Sequence, residues 1–343
     1  ATLAFPPLGV YWSPNNRASE IFRPAIGDIV TTSYRSEAFA VGAPAGIYVL
    51  GVQNVDTDEY DAHVIAHEFQ HYLEDRLGRT DTTGGSHTLQ EKLDMRLAFS
   101  EGYSNAFAAM VLSNPLYRDS FGSRQGSDSH FSLETSNWPA RGWFIEASVQ
   151  AIVWDLYDTA DEAGDTTSIG FAPIWSVTRD ELASGAPLTS IFPFIVGLKS
   201  RPGVPAAAVD ALVENQDMVG SAMDPYATTE TNDGGSADTL PVYSDLSLNG
   251  PAVRVCSDAS LGTYNRLGNR RFLRFSLSGT RTVTIRASYV ARPGDPVNPV
   301  PDPDLVIFRS GFFDSSAFIA PNEEIYQGSL APGDYVLEVY EYS

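Results

Sequence analysis

The chain has little cysteine, little lysine and no long hydrophobic run. Its one cysteine, Cys256, excludes an intramolecular disulfide. A chain of 343 residues, 43% of them hydrophobic, has enough apolar surface for one large domain or two ordinary ones without such a staple. No stretch of about 18 or more apolar residues occurs, which excludes a helix that spans a bilayer. Lysine occurs only at Lys92 and Lys199. Acidic residues outnumber basic ones 43 to 22, giving a formal charge of −21 and a pI near 4.4. That balance excludes a nucleic-acid binder, which needs a basic face to displace phosphate counterions. It also excludes docking on an anionic membrane. An acidic, lysine-poor surface stays soluble through charge and suits a salty exterior. The sequence opens on Ala1 with no signal peptide in view and reads as a processed or trimmed chain.

What is present changes character along the chain. Residues 29–34 and 47–52 are rich in β-branched and aromatic residues and are bounded by Gly and Asn, so both read as strands. Residues 61–220 read as helical. Helices are expected over 63–77, over 89–112 with an interruption at Gly102, over 143–157, and over 174–182, 191–198 and 206–218. The segment 226–238, dominated by Thr, Asn, Asp and Gly, reads as a linker or long exposed loop. Beyond it the period becomes two. Leu273, Phe275 and Leu277 alternate with Arg274 and Ser276, and Tyr335, Leu337 and Val339 alternate with Val336, Glu338 and Tyr340. Turns rich in Gly and Pro separate these runs, as in a small antiparallel β-sandwich.

All five histidines lie in the first 130 residues: His63, His67, His71, His87 and His130. His67-Glu68-Phe69-Gln70-His71 is an H-E-x-x-H motif. On a helix, residues four apart differ by about 40° in direction, so both imidazoles face one way, one turn apart. Both can reach one zinc ion at about 2.0–2.1 Å. Glu68 projects beside them as a general base for a metal-activated water. Val64, Ile65 and Leu73 supply apolar anchors, and Asp61 is placed to cap the helix.

A catalytic zinc needs a third protein ligand. No histidine follows at position 77, which is Leu77, so the ligand has to come from another helix. Glu101, a carboxylate in an otherwise apolar helical run, is the candidate; the competing reading pairs it with an arginine such as Arg96. His87, Tyr103 and Tyr157 are candidates for donating to the developing oxyanion. His63 reads as structural, and Glu146 and Asp155 as buried partners or an exposed helix face. The cluster Asp56-Thr57-Asp58-Glu59-Tyr60-Asp61 reads as helix capping and favourable dipole charge in preference to a calcium site. Asp302 and Asp304 bind calcium or form turns.

H-E-x-x-H followed by Glu on the next helix resembles the gluzincins, the zinc peptidases of thermolysin type. Their pattern around the third ligand is E-x-x-x-D; here it reads Glu101-x-x-x-Asn105, an amide in place of the acid. The gap from His71 to Glu101 is longer than in thermolysin, with a loop inserted over residues 78–87. The run 47–52 corresponds in this resemblance to an edge strand that aligns an extended peptide. The likeness spans about residues 25–115. In the C-terminal part, residues 271–278, 302–308 and 330–336 resemble strands of bacterial pre-peptidase C-terminal domains, over about 240–343.

Together these readings give an α+β chain. A zincin-like catalytic domain over 1–225, an N-terminal β-sheet with a helical lobe, is followed by a linker at 226–239. A small, jelly-roll-like antiparallel sandwich occupies 240–343. The expectation is a secreted bacterial zinc endopeptidase acting on protein or peptide substrates, monomeric, with no nucleic-acid partner and no membrane insertion. His67, His71 and Glu101 hold Zn2+, Glu68 is the base, His87 and Tyr103 assist, and Ca2+ is the second cation the sequence admits. Two rivals stand beside it. One is a non-catalytic cell-surface or adhesion protein on an inactive zincin fold; the other is a zinc hydrolase of non-peptide amides or esters.

Overall fold

The computed structural model describes residues 5–38, 43–135, 137–159, 165–262, 264–291, 301–317 and 322–341. Its N-terminal part contains the short strands β1 (Val10–Trp12), β2 (Arg17–Ala18), β3 (Asp28–Ile29), β4 (Ser33–Arg35) and β5 (Gly46–Val49). The continuous apolar run at Ile47, Tyr48 and Val49 is buried on both faces, as a central strand requires. β1 pairs with it in parallel and β4 antiparallel, so the order is β1-β5-β4. The run 47–52 therefore supplies the middle strand of the sheet and not its edge; β1 and β4 are the edges. The run 29–34 is not one strand either. It breaks at Thr32, whose hydroxyl accepts from the Leu50 amide at 2.9 Å and donates to Asp58.

Helix α1 (Ala62–Leu77) follows, then α2 (Met95–Leu112). α2 starts later than its apolar pattern suggests, because Asp94 caps it by accepting from the Arg96 amide at 3.0 Å. It runs unbroken through Gly102. Nearly every residue of α2 is buried, so it is the axis of the helical lobe. A hairpin of β6 (Leu116–Phe121) and β7 (Ser127–Ser132) interrupts the region read as helical. Its polar Ser- and Asp-rich strands carry no apolar alternation. Then come α3 (Glu146–Tyr157), α4 (Phe171–Val177), which continues as a π-helical turn at Thr178–Leu182, α5 (Ile191–Lys199) and α6 (Ala206–Asn215). The segment expected to be an exposed linker packs on this lobe. Ala227 and Glu230 are buried, the Trp143 indole donates to the Asn232 carbonyl at 2.9 Å, and Lys92 donates to the Gly234 carbonyl at 2.6 Å.

The C-terminal strands are β8 (Tyr243–Asp245), β9 (Arg270–Leu277), β10 (Arg281–Ser288), β11 (Pro303–Phe308), β12 (Phe312–Ser316), β13 (Glu323–Leu330) and β14 (Gly333–Glu341). They form a five-stranded sheet, β12-β11-β14-β9-β8, and a two-stranded ribbon, β10-β13. The sheet is antiparallel except at β8, which pairs with β9 in parallel. Leu273, Phe275, Leu305, Ile307, Tyr335 and Leu337 face the ribbon. The opposite face is covered too: Phe272, Phe308 and Val336 join the core of the helical lobe. Asp304 lies within β11 and not in a turn. Among the described residues the fold is thus mixed α/β, with several sheets, six α-helices and no closed barrel. No described helix is long and apolar enough to cross a membrane.

Arg96 joins the two halves. It is 1% exposed. It forks onto Asp94 at 2.8 and 2.9 Å and reaches Glu338 of β14 at 2.6 Å. Its guanidinium also lies over the Phe272 ring, 4.9 Å from the centroid. Glu338 is 1% exposed and also accepts from Arg270. Burial disfavours the cation, but Asp94 and Glu338 raise the Arg96 pKa further above its usual value. Arg96→Ala strips buried Asp94 of its guanidinium, leaves Glu338 with Arg270 alone, and is expected to cost about 3–5 kcal/mol. Urea unfolding of the variant checks this.

Candidate metal centre

α1 buries the stripe His63, Val64, His67, Gln70 and Leu73 against α2, and this sets the rotation at which its histidines meet the neighbouring helix. His67 and His71 stand one turn apart with ring centroids 4.7 Å apart. Glu101 enters from α2. His67 Nε2 is 3.0 Å from His71 Nε2 and 3.0 Å from Glu101 Oε2; His71 Nε2 is 3.3 Å from the same oxygen. Arg96 takes no part, so the alternative pairing for Glu101 is not formed.

The shell behind His67 fixes which atoms face the centre. Asn105 Nδ2 donates to Glu146 Oε1 at 2.8 Å and to Gln150 Oε1 at 2.9 Å. Both partners are acceptors, so the amide oxygen must point the other way, where His67 Nδ1 meets it at 2.8 Å. His67 is then the Nδ1–H tautomer, with its Nε2 lone pair aimed at His71 and Glu101. The amide at position 105 fills the place of the expected acid, and the carboxylate stands one residue further out, at Glu146. Gly102 makes this possible: a Cβ there would lie 2.6 Å from the Glu146 carbonyl and 2.7 Å from Val149 Cβ. The glycine expected to interrupt α2 is where α3 approaches it. On the other imidazole, His71 Nδ1 lies 3.4 Å from both Ser100 Oγ and Ser104 Oγ, and Ser100 Oγ donates to Glu74 at 2.8 Å.

Three acceptor atoms therefore converge. A proton on His71 bridges one edge of the triangle, whereas a divalent ion meets all three corners. Two imidazole nitrogens and one carboxylate oxygen are a zinc donor set. Tetrahedral bonds of about 2.0–2.2 Å place donors about 3.3–3.6 Å apart, a few tenths of an ångström from the spacing found. Burial pushes Glu101 up, but His71 and His67 outweigh it and hold the carboxyl well below its usual range.

Half-buried Glu68 lies beside the triangle. Its Oε2 accepts from the Tyr34 amide of β4 at 2.6 Å. Burial raises its pKa, with the two imidazoles opposing. His87, on the loop between α1 and α2, comes to the site. Its Nδ1 faces the Gly85 carbonyl at 3.0 Å, and its Nε2 is 3.5 Å from both Glu101 Oε2 and Glu146 Oε2. Burial lowers its pKa, but Glu101 and Glu146 prevail and raise it.

Tyr103 does not come to the site. Two positions beyond Glu101 on a helix is about 200° round, and its ring packs on Phe99 and Phe194 in the core. Tyr157 is also elsewhere, donating to the Met110 carbonyl at 3.3 Å. His63 meets the Asn114 carbonyl at 3.0 Å and is structural; His130 sits on the exposed hairpin 3.1 Å from Asp128. Half-buried Asp155 lies toward the far end of α3. Tyr117, which sequence reading passed over, stands on β6 with its ring 6.3 Å from that of His67 and stacked on Phe131 at 4.8 Å. Burial first, then Glu68 among nearby carboxylates, raises its hydroxyl pKa well above the usual value.

The family described as the mycolysin C-terminal domain matches residues 36–183. The match runs from the end of β4 through α1, α2 and α3, and so contains both histidines, Glu68 and Glu101; it stops short of the C-terminal strands. It associates the chain with a family of secreted metalloproteases. No curated protein and no solved structure matches the chain.

Asn105→Ala removes the acceptor that orients His67 and leaves the Glu146 carboxylate without its amide donor. Zinc affinity is expected to fall about 10–100-fold. Competition with a chromogenic chelator measures it.

Proposed function

We propose that the protein is a secreted zinc-dependent endopeptidase, in which His67, His71 and Glu101 hold the metal and Glu68 is the general base. The reading rests above all on the convergence of three acceptor atoms with a free-standing carboxylate beside them. Bound zinc supplies Lewis acidity and lowers the pKa of its water to about 7. The chain's own groups supply the rest. The Tyr34 amide fixes one oxygen of Glu68, leaving Oε1 to take a proton from the attacking water and return it to the leaving amine. A carboxyl raised by burial is better matched to both transfers than an exposed one. His87 Nε2, whose protonated form Glu101 and Glu146 favour, is the donor suited to the developing oxyanion. Tyr117 walls the site on the hairpin side.

Peptide, as opposed to some other amide, is favoured by β4. In an antiparallel pair both polar groups of a residue point the same way. Tyr34 turns its amide toward Glu68 and away from β5, so the outer edge of β4, on which no further described strand pairs, runs past the base. An extended substrate can add to that edge by backbone hydrogen bonds. The zincin-like unit would comprise about residues 1–225. The sheet and ribbon of 240–343 would be a sandwich like the pre-peptidase C-terminal domains.

Glu68→Gln is expected to lower cleavage of casein or a quenched peptide about 10²–10⁴-fold while zinc content stays at one per chain. Cleavage near the wild-type rate would remove Glu68 from the chemistry. Glu101→Ala should lose zinc itself, read by elemental analysis; full occupancy would mean that the metal is held elsewhere.

A further inference from the structure

We propose that Asp56, Asp58 and Asp119 form a second, structural cation site, suited to calcium, which ties the lead-in of α1 to the β6–β7 hairpin. One carboxylate oxygen from each lies within 4.8 Å of the other two. Asp58 is 3% exposed. Its Oδ2 accepts from Thr32, but its Oδ1 is sealed from solvent and has no hydrogen-bond donor. The same holds for Oδ1 of Asp56 and Oδ1 of Asp119. Each of the three carboxylates thus brings a sealed oxygen that no donor meets, whereas buried acceptors are otherwise satisfied.

The surroundings make the want of positive charge sharper. The charged groups acting most on these three are one another, Glu59 and Asp61. Asp61 does not cap α1 with its side chain: both its oxygens accept from Ser120. Burial and like charge push Asp58 up to about 8 and Asp119 to about 6. At neutral pH the cluster has to hold a proton or a cation. A proton shared by Asp56 and Asp58 satisfies one pair and leaves Asp119 Oδ1 unmet. A cation satisfies all three. The donors are all oxygen, which selects a hard ion. Carboxylates from two separate segments suit the flexible six- to eight-fold shell of about 2.3–2.6 Å around calcium better than the strict shell of magnesium.

The position gives the ion a task. Asp56 and Asp58 precede α1, and Asp119 lies on β6. An isolated bridge joins Asp56 to Phe121, and the Gly122 amide donates to the Val55 carbonyl at 2.8 Å. Thr32 links the same point to β5 through Leu50. An ion here clamps three segments around the N-terminal end of the helix that carries His67, and it fixes the hairpin that carries Tyr117.

The test uses the full chain, zinc-loaded and carrying Glu68→Gln so that self-cleavage does not intrude. Melting followed by circular dichroism at pH 7.5 is titrated with CaCl2 and, separately, MgCl2. Calcium is expected to raise Tm saturably, by about 3–5 °C at about a hundredfold excess over Kd, with a smaller effect from magnesium. Asp58→Asn and Asp119→Asn should each abolish the rise and leave zinc content unchanged. The proposal is overturned if wild-type side chains at 56, 58 and 119 give no calcium response, or if the response survives in both variants. It is equally overturned if Asp58→Asn melts higher than its parent without calcium and the parent ignores the ion, the mark of a proton-sharing pair. Zinc content is read separately, so failure of this site is distinct from failure of the zinc reading.

Discussion

Three acceptor atoms cannot rest 3.0–3.3 Å apart in a dry interior unless something positive lies among them. The region around α1 and α2 is organised by this constraint. His67 is held in the tautomer that turns a lone pair inward, by an amide whose own hydrogens are committed to Glu146 and Gln150. Glu101 is kept ionised by the two rings it faces. His87 approaches from the loop with its outer nitrogen between two carboxylates. Each group adds charge or directionality that makes sense only around a common centre.

The helices deliver this arrangement because α2 is apolar on all sides and cannot rotate without exposing core. Beyond Arg96 in its first turn, its polar residues near the site fall in two groups. Glu101 and Asn105, one turn apart, meet His67; Ser100 and Ser104, also one turn apart, meet His71. Gly102 lets α3 close on the same face, so the supporting carboxylate comes from packing and not from the local sequence. Precision of this kind depends on rigid elements whose rotation is fixed by burial.

What could be read from the sequence follows the range of the interactions. H-E-x-x-H is a local pattern within one helix, and its geometry follows from helical pitch alone. Glu101 was visible as an acid stranded among apolar residues, and Asn105 by its spacing from it. Glu146 and Gln150 as partners of Asn105 were not visible, since nothing local announces that α3 crosses at Gly102. The order β1-β5-β4 is likewise non-local, so nothing in the run 47–52, which the resemblance makes an edge strand, shows that it is central. The β6–β7 hairpin, and Tyr117 with it, escaped because its strands are polar on both faces. Tyr103 is a different kind of miss: helical pitch by itself puts it on the far side from Glu101. In the C-terminal half the period of two gave the strands. It did not reveal that the second face is covered, because Glu338 and Arg96 carry the charges of surface residues.

That covered face bears on what kind of object the C-terminal half is. Phe272, Phe308 and Val336 share a core with the helical lobe, and the Arg96 guanidinium is neutralised partly by Glu338 from a strand 242 positions away in sequence. The C-terminal half therefore cannot behave as a tethered accessory that swings free on a flexible leash. Its last long strand carries the counter-ion for the first turn of the helix that bears Glu101. The end of β14 and the start of α2 are thus parts of one packed unit.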